Sequence, residues 1–264
     1  MSKHLKLISA EYLEAYSSQS KMDWLDVFHK LRSKSDFTTE DFEYYIVASS
    51  LYSSKIEGNT LDVNSFFRNR KSKSFPKHKE VTEVENLVEA YKFASKNKLT
   101  KDSFLKSHEI CSETLLSKKE RGKVRKYPMS VRDTQTLRPV YIAVESEFVN
   151  KEFNKLFVDI SELLKRDLSH KEIFYYASMI HIWLVKIHPF GDGNGRTARL
   201  LEKWFLVSKL GQSTWSINSE KYYWDNRPDY YKNIALGYNY YSLYWERCIP
   251  FLLMLPQALK QSLK

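Results

Sequence analysis

Apolar residues return at three- and four-residue intervals through most of this chain, the period of helices packed by one face. "TTEDFEYYIVASSLYSSKIEGNT" opens on a Thr39/Asp41 start signal, keeps the period, and stops at Gly58–Asn59. "KEVTEVENLVEAYKFASKNK" repeats the pattern with Val81, Val84, Leu87, Val88 and Tyr91. "TKDSFLKSHEICSETLL" follows, and "FVNKEFNKLFVDISELLKRD" comes later with apolar residues at Phe148, Phe153, Leu156, Phe157 and Ile160. With seven glycines and seven prolines in 264 residues, tight turns are scarce, which argues against a many-stranded β protein. The expected class is mainly α.

One segment breaks the period. "RKYPMSVRDTQTLRPVYIAV" holds two short β-like runs, Met129–Val131 and Val140–Val144, around a polar turn, and reads as a small hairpin. Two strands alone are marginal, so the hairpin should lie against the helices with an edge free. No fixed-period repeat is visible. The expected organisation is an N-terminal helical region over 1–98, a core over 99–211, and an aromatic C-terminal helical region over 212–264.

At 42 % hydrophobic and 28 % charged residues the composition excludes a disordered chain. The +10 net charge sits largely in two runs, Arg68–Lys79 and Lys118–Lys126, which read first as solvated basic loops. Cys111 and Cys248 are too few and too far apart for a disulfide framework or a cysteine zinc site. The N-terminus lacks an apolar signal core. The longest apolar stretches, Ile173–Ile187 and Ile249–Leu259, fall short of a membrane span. A cytoplasmic protein with no membrane partner is expected.

Three of the seven glycines fall in "HPFGDGNGRTARL", His188–Leu200, directly after the apolar "IFYYASMIHIWLVKI". Pro189 disfavours the α conformation before it, so the apolar helix should end near His188. The amphipathic "RTARLLEKWFLVSKL" then runs to Gly211, so the loop feeds the N-terminus of a second helix. Open N–H groups and the positive helix end favour an anion there, and glycines let the backbone approach it. Arg196 and Arg199, three apart on the first turn, can face one anion, and such a pair suits a polyphosphate. Asp192 would repel phosphate without a cation between them, and Mg²⁺ is the usual one. His188 can accept a proton from an attacking hydroxyl near neutral pH. Phe190 reads as the loop's apolar anchor, and Asn194 tolerates left-handed backbone angles and offers an amide. The reading is a nucleotide site.

These residues resemble the Fic family signature, His-Pro-Phe-x-(Asp/Glu)-Gly-Asn-Gly-Arg-x-x-Arg, at every fixed position from His188 to Arg199. "YYWDNRPDYYKNIALG" and "YWERCIPFLL" look like the segment that follows the core in many members. The resemblance implies a helical core with a small β-hairpin flap, here about 128–142, and transfer of AMP from ATP to a hydroxyl of a target protein. It implies His188 as base, Asp192 holding Mg²⁺, and Gly193, Asn194 and Gly195 cradling phosphate. Arg196 and Arg199 would lie on the β- and γ-phosphates, and Tyr231 would border the nucleotide. The flap's free edge would receive an extended segment of the target. Family members often carry a proline-rich stretch after the flap; here Tyr141, Ile142, Ala143 and Val144 stand instead. The resemblance also allows a homodimer.

"SSKIEG", Ser53–Gly58, resembles the family's inhibitory motif and lies on the helix expected at about 39–58, before the core. Ser53 and Glu57 are one turn apart on one face, and Gly58 suits the helix end. The resemblance implies that Glu57 pairs with Arg199 and blocks productive ATP alignment, and that Ser53 tethers the turn. Two other activities share these parts: removal of AMP from a modified protein, and transfer of another nucleotide. A different class, a DNA-associated regulator using the site as a sensor, would need a recognition helix, and no such signature is present; nucleic acid is not an expected partner. His181 and His108 read as core histidines with satisfied rings.

Overall fold

Helix α7, His170–Ile187, is apolar nearly all round and is buried nearly all round, which makes it the axis of the molecule. It pairs with α8, Asn194–Leu210, and the connection between them is the glycine loop. The computed structural model describes residues 4–24, 26–27, 38–71, 79–133 and 136–263. Around the central pair lie α1 (Leu13–Ser20), α2 (Thr39–Ile56), α3 (Val63–Lys71), α4 (Lys79–Lys96), α5 (Lys101–Cys111) and α6 (Ser146–Lys165). Strands β1 (Ser130–Arg132) and β2 (Pro139–Ile142) separate α5 from α6. Helices α9 (Ser219–Asp225), α10 (Arg227–Ile234), α11 (Ile249–Leu252) and α12 (Met254–Ser262) complete the chain. Among the described residues the fold is mainly α with one antiparallel hairpin, as the sequence pattern implied. The basic run Arg68–Lys79 falls largely at 72–78, outside the described residues.

Helix starts follow side-chain chemistry. Capping boxes close α5 at Thr100/Ser103 and α7 at Ser169/Glu172. The box on α2 pairs Thr38 with Asp41, one residue earlier than the start signal had suggested. At its other end α2 closes with a glycine-based motif. Gly58, at φ 102°, donates to Lys55 O and Asn59 donates to Ser54 O, both within 3.1 Å. Helix α2 packs on α4 and α9, so an early segment and a late one meet beside α8.

The hairpin pairs Ser130 with Ile142 and Val131 with Tyr141, then shifts register before Arg132. Its second strand ends at Ile142, two residues earlier than expected, although Ala143 N–H still bonds Met129 O at 3.1 Å, and Ala143 and Val144 are buried. The expectation of a free edge needs correction at one end. Ile142 N–H bonds Tyr238 O at 2.8 Å, and Tyr240 N–H bonds Ile142 O at 3.1 Å, so the C-terminal segment closes that end of β2. An isolated hairpin is too weak to hold itself, and this bridge supplies the support. No helix among the described residues is long and apolar enough to cross a membrane.

Candidate active site

The glycine loop is held by its own side chains before anything binds it. Helix α7 ends at Ile187, and His188 takes the left-handed conformation at φ 51° as its cap. Phe190 is fully buried and stacks on His108, with ring centroids 3.6 Å apart. Asn194 returns both amide atoms to Phe190, donating to its O at 2.9 Å and accepting its N–H at 3.0 Å. Besides His188 it is Gly193, at φ 80°, that is left-handed, whereas Asn194 is the first residue of α8. His108 Nδ1 accepts Gly122 N–H at 3.0 Å, which leaves Nε2–H to donate to Asp192 O, also at 3.0 Å. His108 is therefore a structural histidine whose task is to hold this loop; burial pushes its pKa down to about 4, so it holds the loop uncharged.

His188 is poised as a neutral base. Its Nδ1 lies 3.2 Å from Val185 O, which can only accept, so Nδ1 carries the proton and Nε2 keeps its lone pair. Burial pushes the imidazole pKa down to about 4, with the Arg125 and Lys186 charges acting in the same direction against Val185 and Glu57. Arg125 belongs to a run that had read as solvated, yet it is buried. Its guanidinium donates to His188 O at 2.8 Å, Tyr127 O at 2.6 Å and Val144 O at 2.6 Å. One side chain thus ties the base, the loop and the exit from the hairpin together. Arg125→Ala should cost about 3 kcal/mol by leaving those carbonyls unpaired. Urea denaturation checks this; an unchanged midpoint would refute it.

The two arginines differ in what they face. Arg196 is mostly buried, with Nη2 3.4 Å from Glu83, Nη1 3.9 Å from Asp192, and its Nε without a partner. Arg199 is fully buried and donates four hydrogen bonds. Its Nε donates to Ser53 Oγ at 2.9 Å, Nη2 to Ser53 O at 2.9 Å and Glu57 Oε1 at 2.7 Å, and Nη1 to Tyr230 OH at 3.1 Å. Burial works to raise the Glu57 carboxyl, but Arg199 and then Arg196 outweigh it and hold it below its ordinary value. The pair therefore persists at neutral pH and is lost only as pH falls through that lowered value. The Glu57 side chain is still 29 % exposed, so water screens part of the attraction.

Gly195 explains how closely the glutamate can approach. A Cβ at this position would stand 2.2 Å from Glu57 Oε1, so only glycine admits the carboxylate over the first turn of α8. Gly193, the cap residue, makes no side-chain bond to that turn, which leaves an electropositive helix end facing the carboxylate. Asp192 lies on the open side with half its side chain exposed, and its Oδ1 accepts Gly193 N–H. Among the described residues no group of three His, Cys, Asp or Glu side chains is placed to hold a metal. A single exposed carboxylate suits a cation that keeps waters and phosphate oxygens as its other ligands, as Mg²⁺ does.

Tyr231 is half exposed, and its hydroxyl donates to Ile56 O at 2.8 Å, bracing the last turn of α2. The tyrosine that touches the Arg199 guanidinium is its neighbour Tyr230, which the sequence did not single out. Sequence reading brought His188, Asp192, Gly193, Asn194, Gly195, Arg196 and Arg199 to one loop, and the fold adds Ser53, Glu57 and Gly58 beside them.

The Fic/DOC family model matches residues 98–206. The chain is 31 % identical over 162 residues to the protein adenylyltransferase Fic of Nematostella vectensis, which covers 59 % of this chain and 36 % of that protein. A protein of the same name from Aedes aegypti is 62 % identical over 32 residues, 12 % of this chain and 6 % of its own length. This chain thus spans well under half of these relatives. Among solved structures, a Fic family protein from Desulfovibrio desulfuricans G20 superposes with a TM-score of 0.74 at 20 % identity, covering 99 % of this chain and 75 % of that one. Fic-1 (residues 134–508) of C. elegans gives 0.63 at 21 %, covering 96 % and 73 %. These likenesses establish the fold.

Proposed function

Because residues 98–206 form a Fic/DOC-family domain, we propose that this chain is a protein adenylyltransferase held in check by its own helix α2. One observation carries the reading. A carboxylate, that of Glu57, already lies over the first turn of α8, bonded to Arg199 and pressed on Gly195. That is an anion site occupied by an internal anion, and a phosphate would have the same reasons to bind there. The relatives in Nematostella and Aedes are named protein adenylyltransferase Fic, which supports AMP as the transferred group.

In this reading His188 Nε2 takes the proton from a Ser, Thr or Tyr hydroxyl of the target as the oxygen attacks the α-phosphorus of ATP. The bond to the β-phosphate oxygen breaks and pyrophosphate leaves. The α8 N-terminus and Arg196, with its unpaired Nε, stabilise the phosphate charge, and Arg199 does so once Glu57 has withdrawn. Asp192 would hold Mg²⁺, which supplies further neutralisation of the phosphate oxygens. Label from α-labelled ATP should appear on protein when the Glu57→Gly chain is mixed with Mg²⁺ and host-cell extract, and mass spectrometry should find AMP on a hydroxyl. Label released only as free nucleotide would refute the reading.

The pH profile follows from the imidazole. A histidine whose pKa has fallen to about 4 is already neutral at pH 6 and above. Transfer by the released enzyme should therefore stay flat from about pH 6 to 8 on the acid side, falling only towards pH 4–5. Initial rates across that range check this; an acid limb centred near the ordinary histidine value would contradict it.

A further inference from the structure

Three of the four hydrogen bonds to the Arg199 guanidinium come from α2, through Ser53 Oγ, Ser53 O and Glu57 Oε1. When the glutamate leaves for nucleotide to align, the two Ser53 bonds still tie the guanidinium to α2, so an anchor outside that helix is needed to keep it aimed wherever α2 moves. The fourth bond is the candidate, from Nη1 to the Tyr230 hydroxyl on α10. Resting on the functional reading above, we propose that Tyr230 is a positioning residue. It holds Arg199 for the terminal phosphates of ATP and is itself fixed by a buried His181–Glu202 pair.

The support lies in the direction of the hydrogen bonds. Arginine can only donate, so the Tyr230 oxygen accepts from Nη1. Tyr230's own proton then points to His181 Nε2, 3.0 Å away, which must offer its lone pair. His181 Nδ1 therefore carries the ring proton and donates to Glu202 Oε2 at 2.8 Å. Tyr223 OH donates to the same carboxylate, 3.0 Å from each oxygen. The chain Arg199→Tyr230→His181→Glu202 runs one way and gives every proton in it an acceptor. His181 and Glu202 are fully buried, and Phe251 packs edge-on against the His181 ring, so neither has a rotamer to escape to. A hydroxyl locked at one end by an imidazole is a fixed acceptor at the other. A pure core network would not need to end on the site's arginine.

Tyr230→Phe removes only the hydroxyl and keeps the ring that packs near the guanidinium, 5.9 Å from its carbon. In a Glu57→Gly background, titration calorimetry should show Mg-ATP binding weakened about tenfold while AMP binding changes less than about twofold. In transfer assays KM for ATP should rise with kcat within about threefold. His181→Phe should reproduce this loss. His181→Gln, whose amide can accept from Tyr230 and donate to Glu202, should restore ATP binding. Should His181→Phe fail to fold, Tyr230→Phe and His181→Gln decide the matter together. Equal Mg-ATP affinity in folded Tyr230→Phe and its parent would overturn the proposal, as would equal losses for ATP and AMP. A Glu57→Gly parent that binds no Mg-ATP would instead overturn the functional reading itself.

Discussion

Replacing Glu57 with glycine is expected to raise AMP transfer, including transfer to the chain itself, by about a hundredfold or more. The carboxylate holds Arg199 at 2.7 Å and lies over the turn that would receive phosphate, so its loss both removes the guanidinium's ion pair and empties the anion site. A bias of a few kcal/mol is enough for such a change, and a partly screened bidentate-capable donor can supply it. The substitution should leave the fold intact. Glu57 is the cap residue of α2, the closing bonds there come from backbone N–H groups, and Ser53 and Tyr231 still grip the helix end. Glu57→Gln, which keeps the shape and loses the charge, should fall between the two. Initial rates with labelled ATP measure all three; wild type and Glu57→Gly at the same rate would remove the brake from this account.

The second large effect is expected from His188→Ala. It should lower transfer by about a thousandfold in the wild-type and Glu57→Gly backgrounds alike, since the proposed mechanism assigns the proton to this imidazole in both. Mg-ATP affinity should change little, because the imidazole contributes a lone pair and no positive charge at neutral pH. Histidine already bears the cost of the left-handed backbone at this position, and the backbone of residue 188 stays held by Leu184 O and by Arg125, so the loop should persist. Rate and affinity measured on one preparation separate the roles. Retained transfer would mean that another group takes the proton.

The parts differ in how far the sequence alone could reach. The loop from His188 to Arg199 was legible because the residues that carry its chemistry are local: a proline after the helix, glycines where the backbone must come close, and arginines three apart on one turn. Arg125 was hidden by its neighbours. In a run of basic residues nothing marks the member that will turn inward, and the three carbonyls it serves belong to distant segments. His108 could be read as structural, but its attachment to the loop depends on a stack with Phe190 across the core. On α10 two adjacent tyrosines point to different tasks. Tyr230 is buried on Arg199 and Tyr231 reaches Ile56, a division that only the helix's seat against α2 produces.

By itself, then, the amino-acid order determined a helical chain, a single hairpin, and a loop chemically suited to phosphate. Those properties arise from spacing and side-chain type within a few residues. Glu57 was named only through the resemblance, and its seat in that loop, like the contact of Tyr230 with the arginine, is made by packing. Glu57 and Arg199 are 142 positions apart, and their meeting requires α2 to dock beside α8 with no side chain on Gly195 to keep them separate.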